Sequence, residues 1–114
     1  MNPARYNINV YQGATFNLNP VWKIGGIAVN LTGFTADMQV RQFVDTGIIT
    51  EMSTANGHIV IDGSKGQLNI TLSASETAAL PAGQYMYDLN VTDTGGTVFK
   101  ILQGAFIINA SVTH

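Results

Sequence analysis

Apolar and polar residues alternate along several short segments of this 114-residue chain. From Thr35 to Arg41, the apolar side chains fall on one face, and Asp37, Gln39 and Arg41 fall on the other. Such a period of two is typical of half-buried strands. The same alternation occurs in three further segments: 58–62, 67–72 and 84–92.

Turn-forming residues separate these segments, at Asn56-Gly57, at residues 62–66 and at residues 93–96. Glycine and asparagine tolerate the positive φ angles of tight turns, so each position predicts a change of chain direction. Seven or eight short strands, about 8–12 residues apart, indicate an all-β sandwich, with a small barrel or jelly roll as the alternative. No linker, low-complexity tract or internal repeat is visible, so we expect residues 1–114 to form one domain.

One segment departs from the period of two. Residues 73–80 predict a short helical turn, because Ser73 and Glu76 have the spacing of a capping box. Pro81 ends this turn, since the residue before a proline is disfavoured in the α region.

The strand after this turn begins with alternating tyrosines. A helical turn, a glycine and a strand that opens with tyrosine form the pattern of the E–F corner in immunoglobulin-like sandwiches, where the tyrosine hydroxyl bonds back to the corner's backbone. We therefore expect an immunoglobulin-like antiparallel β-sandwich. Tyr85 is the predicted corner tyrosine, and Tyr87 takes the position of the second cysteine of antibody domains.

The segment 97–108 is apolar on both faces, unlike a strand that buries only one side. One explanation is a β-bulge near Gln103-Gly104 that switches the buried face. The other is a second subunit that covers the outer face. In that case three apolar residues are candidate protein–protein interface positions: Phe99, Ile101 and Ile107.

The amino-acid composition of the chain argues against some classes of function. Only 11% of the residues are charged, against about 25% in an average domain, and five basic against seven acidic residues give a net charge of −2. No window is strongly basic, which argues against nucleic acid as a partner.

The longest apolar run, Ala105 to Ile108, is far shorter than the roughly 20 residues of a membrane span. The first five residues do not lead into the apolar segment of a secretory signal, so we expect a soluble chain that is synthesised in a cytoplasm.

Candidate chemistry is sparse. The chain has no cysteine, which excludes disulfides, thiolate nucleophiles and Cys-ligated metals. His58 follows a turn at an outward strand position and is interpreted as a surface residue. Among the carboxylates, Asp88 stands out because it lies in mid-strand opposite the core face. We expect no enzyme activity, no cofactor and no metal site.

Several segments resemble a family of small immunoglobulin-like structural proteins of tailed phages and prophages. Tyr11-Gln12-Gly13-Ala14-Thr15-Phe16 resembles the family's "QGxTF" first strand, and Leu102-Gln103-Gly104-Ala105-Phe106 resembles its "LLEGxFxV" strand. Residues 30–41 are similar to "DLTGYTARMQIR", with Asn30 in place of Asp. Residues 72–87 are similar to "LSAxETAALPAGxYxYDL". The "LTG" pattern also begins the N-terminal domain of phage baseplate upper proteins.

The resemblance implies a non-enzymatic virion protein of the tail, baseplate or fibre-attachment region. Its implied partners are other virion proteins and copies of itself, and its implied location is the virion, after synthesis in the bacterial host. A capsid decoration protein is the near alternative. A module that binds host-surface carbohydrate is the alternative of another class, and Trp22, Tyr6 and Tyr11 are its candidate aromatic platform, although the parity of Trp22 favours a place in the core.

Overall fold

The computed structural model of the protein describes residues 4–42 and 47–110. Strands dominate it, as the alternation predicts. In chain order they are β1 (Ala4–Arg5), β2 (Ile8–Tyr11), β3 (Phe16–Leu18), β4 (Lys23–Ile24), β5 (Ile27–Ala28), β6 (Thr35–Arg41), β7 (Ile48–Ser53), β8 (Ile59–Asp62), β9 (Gln67–Leu72), β10 (Gly83–Thr92) and β11 (Val98–Asn109). A 3-10 turn (Gly63–Lys65) and one helix, α1 (Ala74–Ala78), complete the described secondary structure.

The strands form a larger and a smaller sheet. The larger sheet has the order β1-β11-β10-β6-β7, and β2 also pairs with β11. The smaller sheet has the order β3-β9-β8, while β4 and β5 pair only with each other. Strands β1 and β2 run parallel to β11, and the other pairs are antiparallel. This distribution of strands over two sheets is that of an immunoglobulin-like sandwich, so the predicted fold class is confirmed.

The core lies between the two sheets and follows the predicted parity. Alternate residues of β6 and β10 point inward, and those of β9 meet them from the smaller sheet. Because each strand contributes every second side chain, the outer face of the larger sheet is left polar. The fully buried apolar residues include Leu31, Met38, Val40, Met52, Leu68, Ile70, Leu89, Val91 and Phe106.

A β-bulge in β11 explains its two apolar faces. Leu89 pairs with Leu102, but the next residue, Asn90, pairs with Lys100, so Ile101 is the extra residue. Phe106 and Ile108 therefore face the core after the bulge, while odd-numbered side chains face it before. A bulge had been predicted near Gln103-Gly104; it lies two residues earlier.

The predicted capping box is present at α1. The Glu76 backbone N–H donates to Ser73 Oγ over 3.2 Å, and the Ser73 backbone N–H donates to Glu76 Oε1 over 2.8 Å. The following corner is closed by the Tyr85 hydroxyl, which donates to the Pro81 carbonyl over 2.9 Å. Tyr85 is thus the corner tyrosine that the sequence predicts.

Tyr87 replaces a disulfide position with a buried hydroxyl. Its ring packs against that of Phe106 with centroids 6.2 Å apart, and its hydroxyl donates to the Tyr6 carbonyl over 2.5 Å. Burial raises the pKa of Tyr87 to about 12. The bond ties β10 to the chain between β1 and β2, so it closes the edge of the larger sheet without a covalent link.

The "LTG" segment forms a tight turn that brings Leu31 into the core. Asn30 Oδ1 accepts hydrogen bonds from the Thr32 backbone N–H (3.0 Å) and hydroxyl (2.6 Å). The Phe34 N–H then closes the turn on the Leu31 carbonyl over 2.9 Å. An aspartate at residue 30 could accept the same two bonds, because its carboxylate oxygen replaces the amide oxygen of Asn30.

Candidate interaction surfaces

The three predicted interface residues do not share a surface. Ile101 is only 7% exposed and belongs to the core. Phe99 faces inward and packs against Trp22, with ring centroids 5.4 Å apart. Ile107 lies on the outer face of the larger sheet, opposite Gln84, and is half-buried. The bulge therefore accounts for Phe99 and Ile101, and of the three only Ile107 is placed to meet another molecule.

The hairpin formed by β4 and β5 exposes two large apolar side chains. Ile24 and Ile27 are 53% and 75% exposed, and they are direct cross-strand partners. Partners in register project from the same face of a hairpin, so the two side chains form one apolar patch. Gly25 and Gly26 make the turn between them with φ angles of +60° and +81°. These angles are those of the two-residue turns that suit hairpins.

The base of this hairpin is fixed to the sandwich. The Trp22 backbone N–H donates to the Gly66 carbonyl, and the Val29 N–H donates to the Trp22 carbonyl, each over 2.9 Å. The Trp22 ring is half-buried against Phe99. An arm held in this way presents its two isoleucines in a defined position.

The position of Trp22 also bears on the aromatic platform proposed for sugar binding. Trp22 packs on Phe99 and the core, as its parity predicts. Tyr6 lies between β1 and β2, Tyr11 ends β2, and both side chains are exposed. The described ring contacts do not join Tyr6 or Tyr11 to Trp22.

The outer face of the larger sheet carries rows of polar side chains. One row crosses four strands, because Glu51, Gln39, Asp88 and Gln103 are successive register partners. Gln103 is in turn the partner of Arg5. Gln39 Nε2 donates to Glu51 Oε2 over 3.2 Å. The outer face of the larger sheet is therefore a connected polar surface, and it differs from the apolar sheet faces that pack against another layer.

Acidic groups cluster at the β6–β7 side of this face. Burial raises the pKa of Asp37 to about 6, and the neighbouring carboxyl of Glu51 adds to the effect. Asp37 Oδ2 accepts a hydrogen bond from Gln39 over 3.1 Å, whereas its Oδ1 is buried without a partner among the described residues. A carboxyl so placed favours its protonated form because the charged form loses hydration and meets a second negative charge.

Basic groups collect at the other side of the same face, around a groove of about 320 Å³. Arg5, Arg41 and Lys100 line it, although they are far apart in sequence. Lys100 Nζ lies 3.1 Å from Asp88 Oδ2, and Arg41 Nη2 donates to Gln39 Oε1 over 2.8 Å. Cross-strand pairing brings these charges together.

His58 stands beside α1 and has two oxygen partners. Its Nε2 lies 2.5 Å from Glu76 Oε2, and its Nδ1 lies 3.0 Å from Asn56 Oδ1. The hydrogen bond from the Ser73 backbone, followed by the one to His58, lowers the pKa of Glu76 to about 2. Within the described residues, no serine or threonine hydroxyl bonds the ring, so His58 is placed to tie β8 to α1 rather than to activate a nucleophile.

Residues 4–42 and 47–110 contain no group of three or more His, Cys, Asp or Glu side chains arranged to hold a metal ion. No helix in these ranges has the length and apolar character needed to cross a membrane. The chain matches no protein-family model, and comparison with curated proteins finds no similar sequence.

Proposed function

We propose that this protein is a non-enzymatic structural module of a tailed-phage virion, placed in the tail, baseplate or fibre-attachment region, where it docks onto neighbouring virion proteins. The observation that supports this proposal is the apolar patch on the β4–β5 hairpin. Ile24 and Ile27 are held outside both sheets on an arm with a fixed base. Exposed apolar residues grouped in this way mark protein interaction sites.

The resemblance to phage immunoglobulin-like proteins supplies the identity of the neighbours. Two of its motifs coincide with distinctive local structures: residues 30–34 form the turn that buries Leu31, and residues 73–87 include α1 and the tyrosine corner. They support a shared architecture. The docking role then rests on the hairpin, which lies outside these motifs.

The experiment is recovery of the protein with virus particles. Particles induced from the bacterium that carries the gene are purified by density gradient, and the chain is measured by quantitative mass spectrometry. We expect the wild-type chain in the particles at a fixed ratio to the tail proteins. Absence of the chain from purified particles would overturn the virion assignment.

A double variant, Ile24→Ser with Ile27→Ser, tests the docking surface. We expect it to fold with an unchanged circular dichroism spectrum and to be lost from the particles, because the apolar contact is removed. Val60→Ser is the matched control, since Val60 is 59% exposed on β8 of the smaller sheet. Retention of the double variant would show that docking uses another surface.

The same preparation distinguishes the capsid alternative. Separated tails and heads are analysed in parallel. A chain that follows the heads is a decoration protein, and one that follows the tails agrees with the proposal.

A further inference from the structure

The groove on the outer face of the larger sheet concentrates positive charge in an acidic protein. It is lined by Arg5, Arg41 and Lys100, which are three of the chain's five basic residues. Among the acidic residues that the structure describes, Asp88 alone lines the groove with them. The chain's net charge is −2, so this local excess of cations is a feature of the site and not of the whole surface.

From this arrangement we propose that the groove binds a sugar acid, a ligand that carries one carboxylate and several hydroxyl groups. The inference goes beyond the proposed docking function and does not depend on it, because the groove is lined by residues of the larger sheet and not of the β4–β5 hairpin.

The basic side chains of the groove bind the carboxylate of the ligand. Arg5 makes no ion pair with any other described residue and is exposed at the edge strand β1, so its guanidinium is available to a ligand. A guanidinium matches a carboxylate with two parallel hydrogen bonds, which a single ammonium group does not do. Lys100 adds a second positive charge on the neighbouring strand β11.

Asp88 accepts hydrogen bonds from the hydroxyl groups of the ligand. A lining of cations alone would suit a simple anion, whereas a carboxylate in the lining adds acceptor oxygens that the hydroxyl groups of a ligand can use. Here Asp88 is held by Lys100 and keeps acceptor oxygens, and its register partner Gln103 adds an amide donor and acceptor on the neighbouring strand. Hydroxyl groups need this mixture, since each one both donates and accepts.

The size and floor of the groove agree with such a ligand. Its volume of about 320 Å³ lies at the lower end of the range for small-molecule pockets. Met86, 38% exposed, is an apolar side chain of the lining on which the C–H face of a sugar ring can pack, and Gly104 lines the groove with backbone alone. A Cβ at residue 104 would overlap the Tyr6 carbonyl oxygen, so the glycine also allows β1 to approach.

The test is a titration of the isotope-labelled full chain by NMR, with D-galacturonate and D-glucuronate as probes. We expect saturable shifts of amide signals around Asp88 and Gln103, and weaker binding as sodium chloride increases. Glucose lacks the carboxylate and succinate lacks the hydroxyls, so each should bind at least about tenfold more weakly. Equal binding of succinate, or no saturable shift with either uronate, would overturn the proposal.

Charge-removing variants locate the site. Arg5→Gln is expected to weaken uronate binding at least about fivefold, and the double change with Lys100→Gln to abolish it. The remaining basic residues that lie outside the groove, Lys23 and Lys65, give matched controls as Lys23→Gln and Lys65→Gln. If the control variants lost as much affinity for the uronates, the binding would be a non-specific attraction to positive charge, and the proposal would be overturned. An acidic peptide that shifts the same signals while both uronates fail would assign the groove to a protein partner and overturn the sugar acid.

Discussion

The Thr77 hydroxyl donates to the carbonyl of Ala14, 63 residues earlier in the chain, over 2.8 Å. The same oxygen accepts the Gly13 backbone N–H over 3.1 Å, and Thr77 is completely buried. Close by, Gln12 Nε2 donates to the Leu80 carbonyl over 2.8 Å. The first turn of the chain is thus bonded to α1 and the corner after it, which explains in physical terms why two distant sequence motifs occur together.

Removal of this hydroxyl should destabilise the fold. Thr77→Val keeps the shape of the side chain but leaves the Gly13 N–H and the Ala14 carbonyl without their partner. We expect the free energy of unfolding to fall by about 1–2 kcal/mol, because two part-buried backbone groups lose their hydrogen-bond partner. Urea denaturation measures this. Thr35→Val is the control at an exposed strand position and should change stability by less than about 0.5 kcal/mol.

The bulge in β11 predicts opposite outcomes for two nearby isoleucines. Ile101→Asp places a charge in the core and should leave the chain unfolded, as shown by loss of near-ultraviolet circular dichroism. Ile107→Asp changes the outer face and should leave a folded protein. Ile101→Ala is a milder test and should lower stability by about 2 kcal/mol or more. A folded Ile101→Asp protein with a reduced solution mass would instead support a subunit interface at this residue.

Local rules were sufficient for some parts of the structure and not for others. The capping box of Ser73 and the corner bond of Tyr85 depend on neighbours in sequence, so their spacing alone predicts them. The bulge was predicted too late in β11, since its position depends on the register with β10. The short strand β3 ends at Leu18, just before Asn19-Pro20, because proline has no backbone N–H for strand pairing.

The two surfaces proposed for function were missed for different reasons. Gly25-Gly26 between apolar residues is a hairpin signal, but it does not show that the hairpin lies outside both sheets with its isoleucines exposed. The groove had no local signal, because Arg5, Arg41 and Lys100 come from three separate strands. Only the strand order brings them together, and a window of sequence does not contain that information.

Asp37 should make the protein less stable as the pH rises. Its pKa is raised from 3.8 to about 6 in the folded state, so the native chain binds more protons than the unfolded chain between these values. Stability therefore falls from about pH 4 to about pH 6 and stays lower above it. Asp37→Asn removes the effect and should raise stability at pH 7.5 by about 1 kcal/mol, a figure reduced for solvent screening. Denaturation at pH 4 should show little difference, and a variant less stable than wild type at pH 7.5 would contradict the argument.

Glu76, unlike Asp37, should make the protein more stable as the pH rises, and its effect should occur at lower pH. Its pKa is lowered to about 2 in the folded state, first by the Ser73 backbone N–H and then by His58. The unfolded chain therefore binds more protons than the native chain between about pH 4.5 and pH 2, and this share of stability is lost as the pH falls through that range. Glu76→Gln keeps an oxygen for the capping box but removes the charge that faces His58. We expect the variant to be less stable than wild type at pH 7 and to converge with it near pH 2, with thermal unfolding followed by circular dichroism at each pH. Parallel stability curves for the two proteins would show that the ionic contact between α1 and His58 does not contribute.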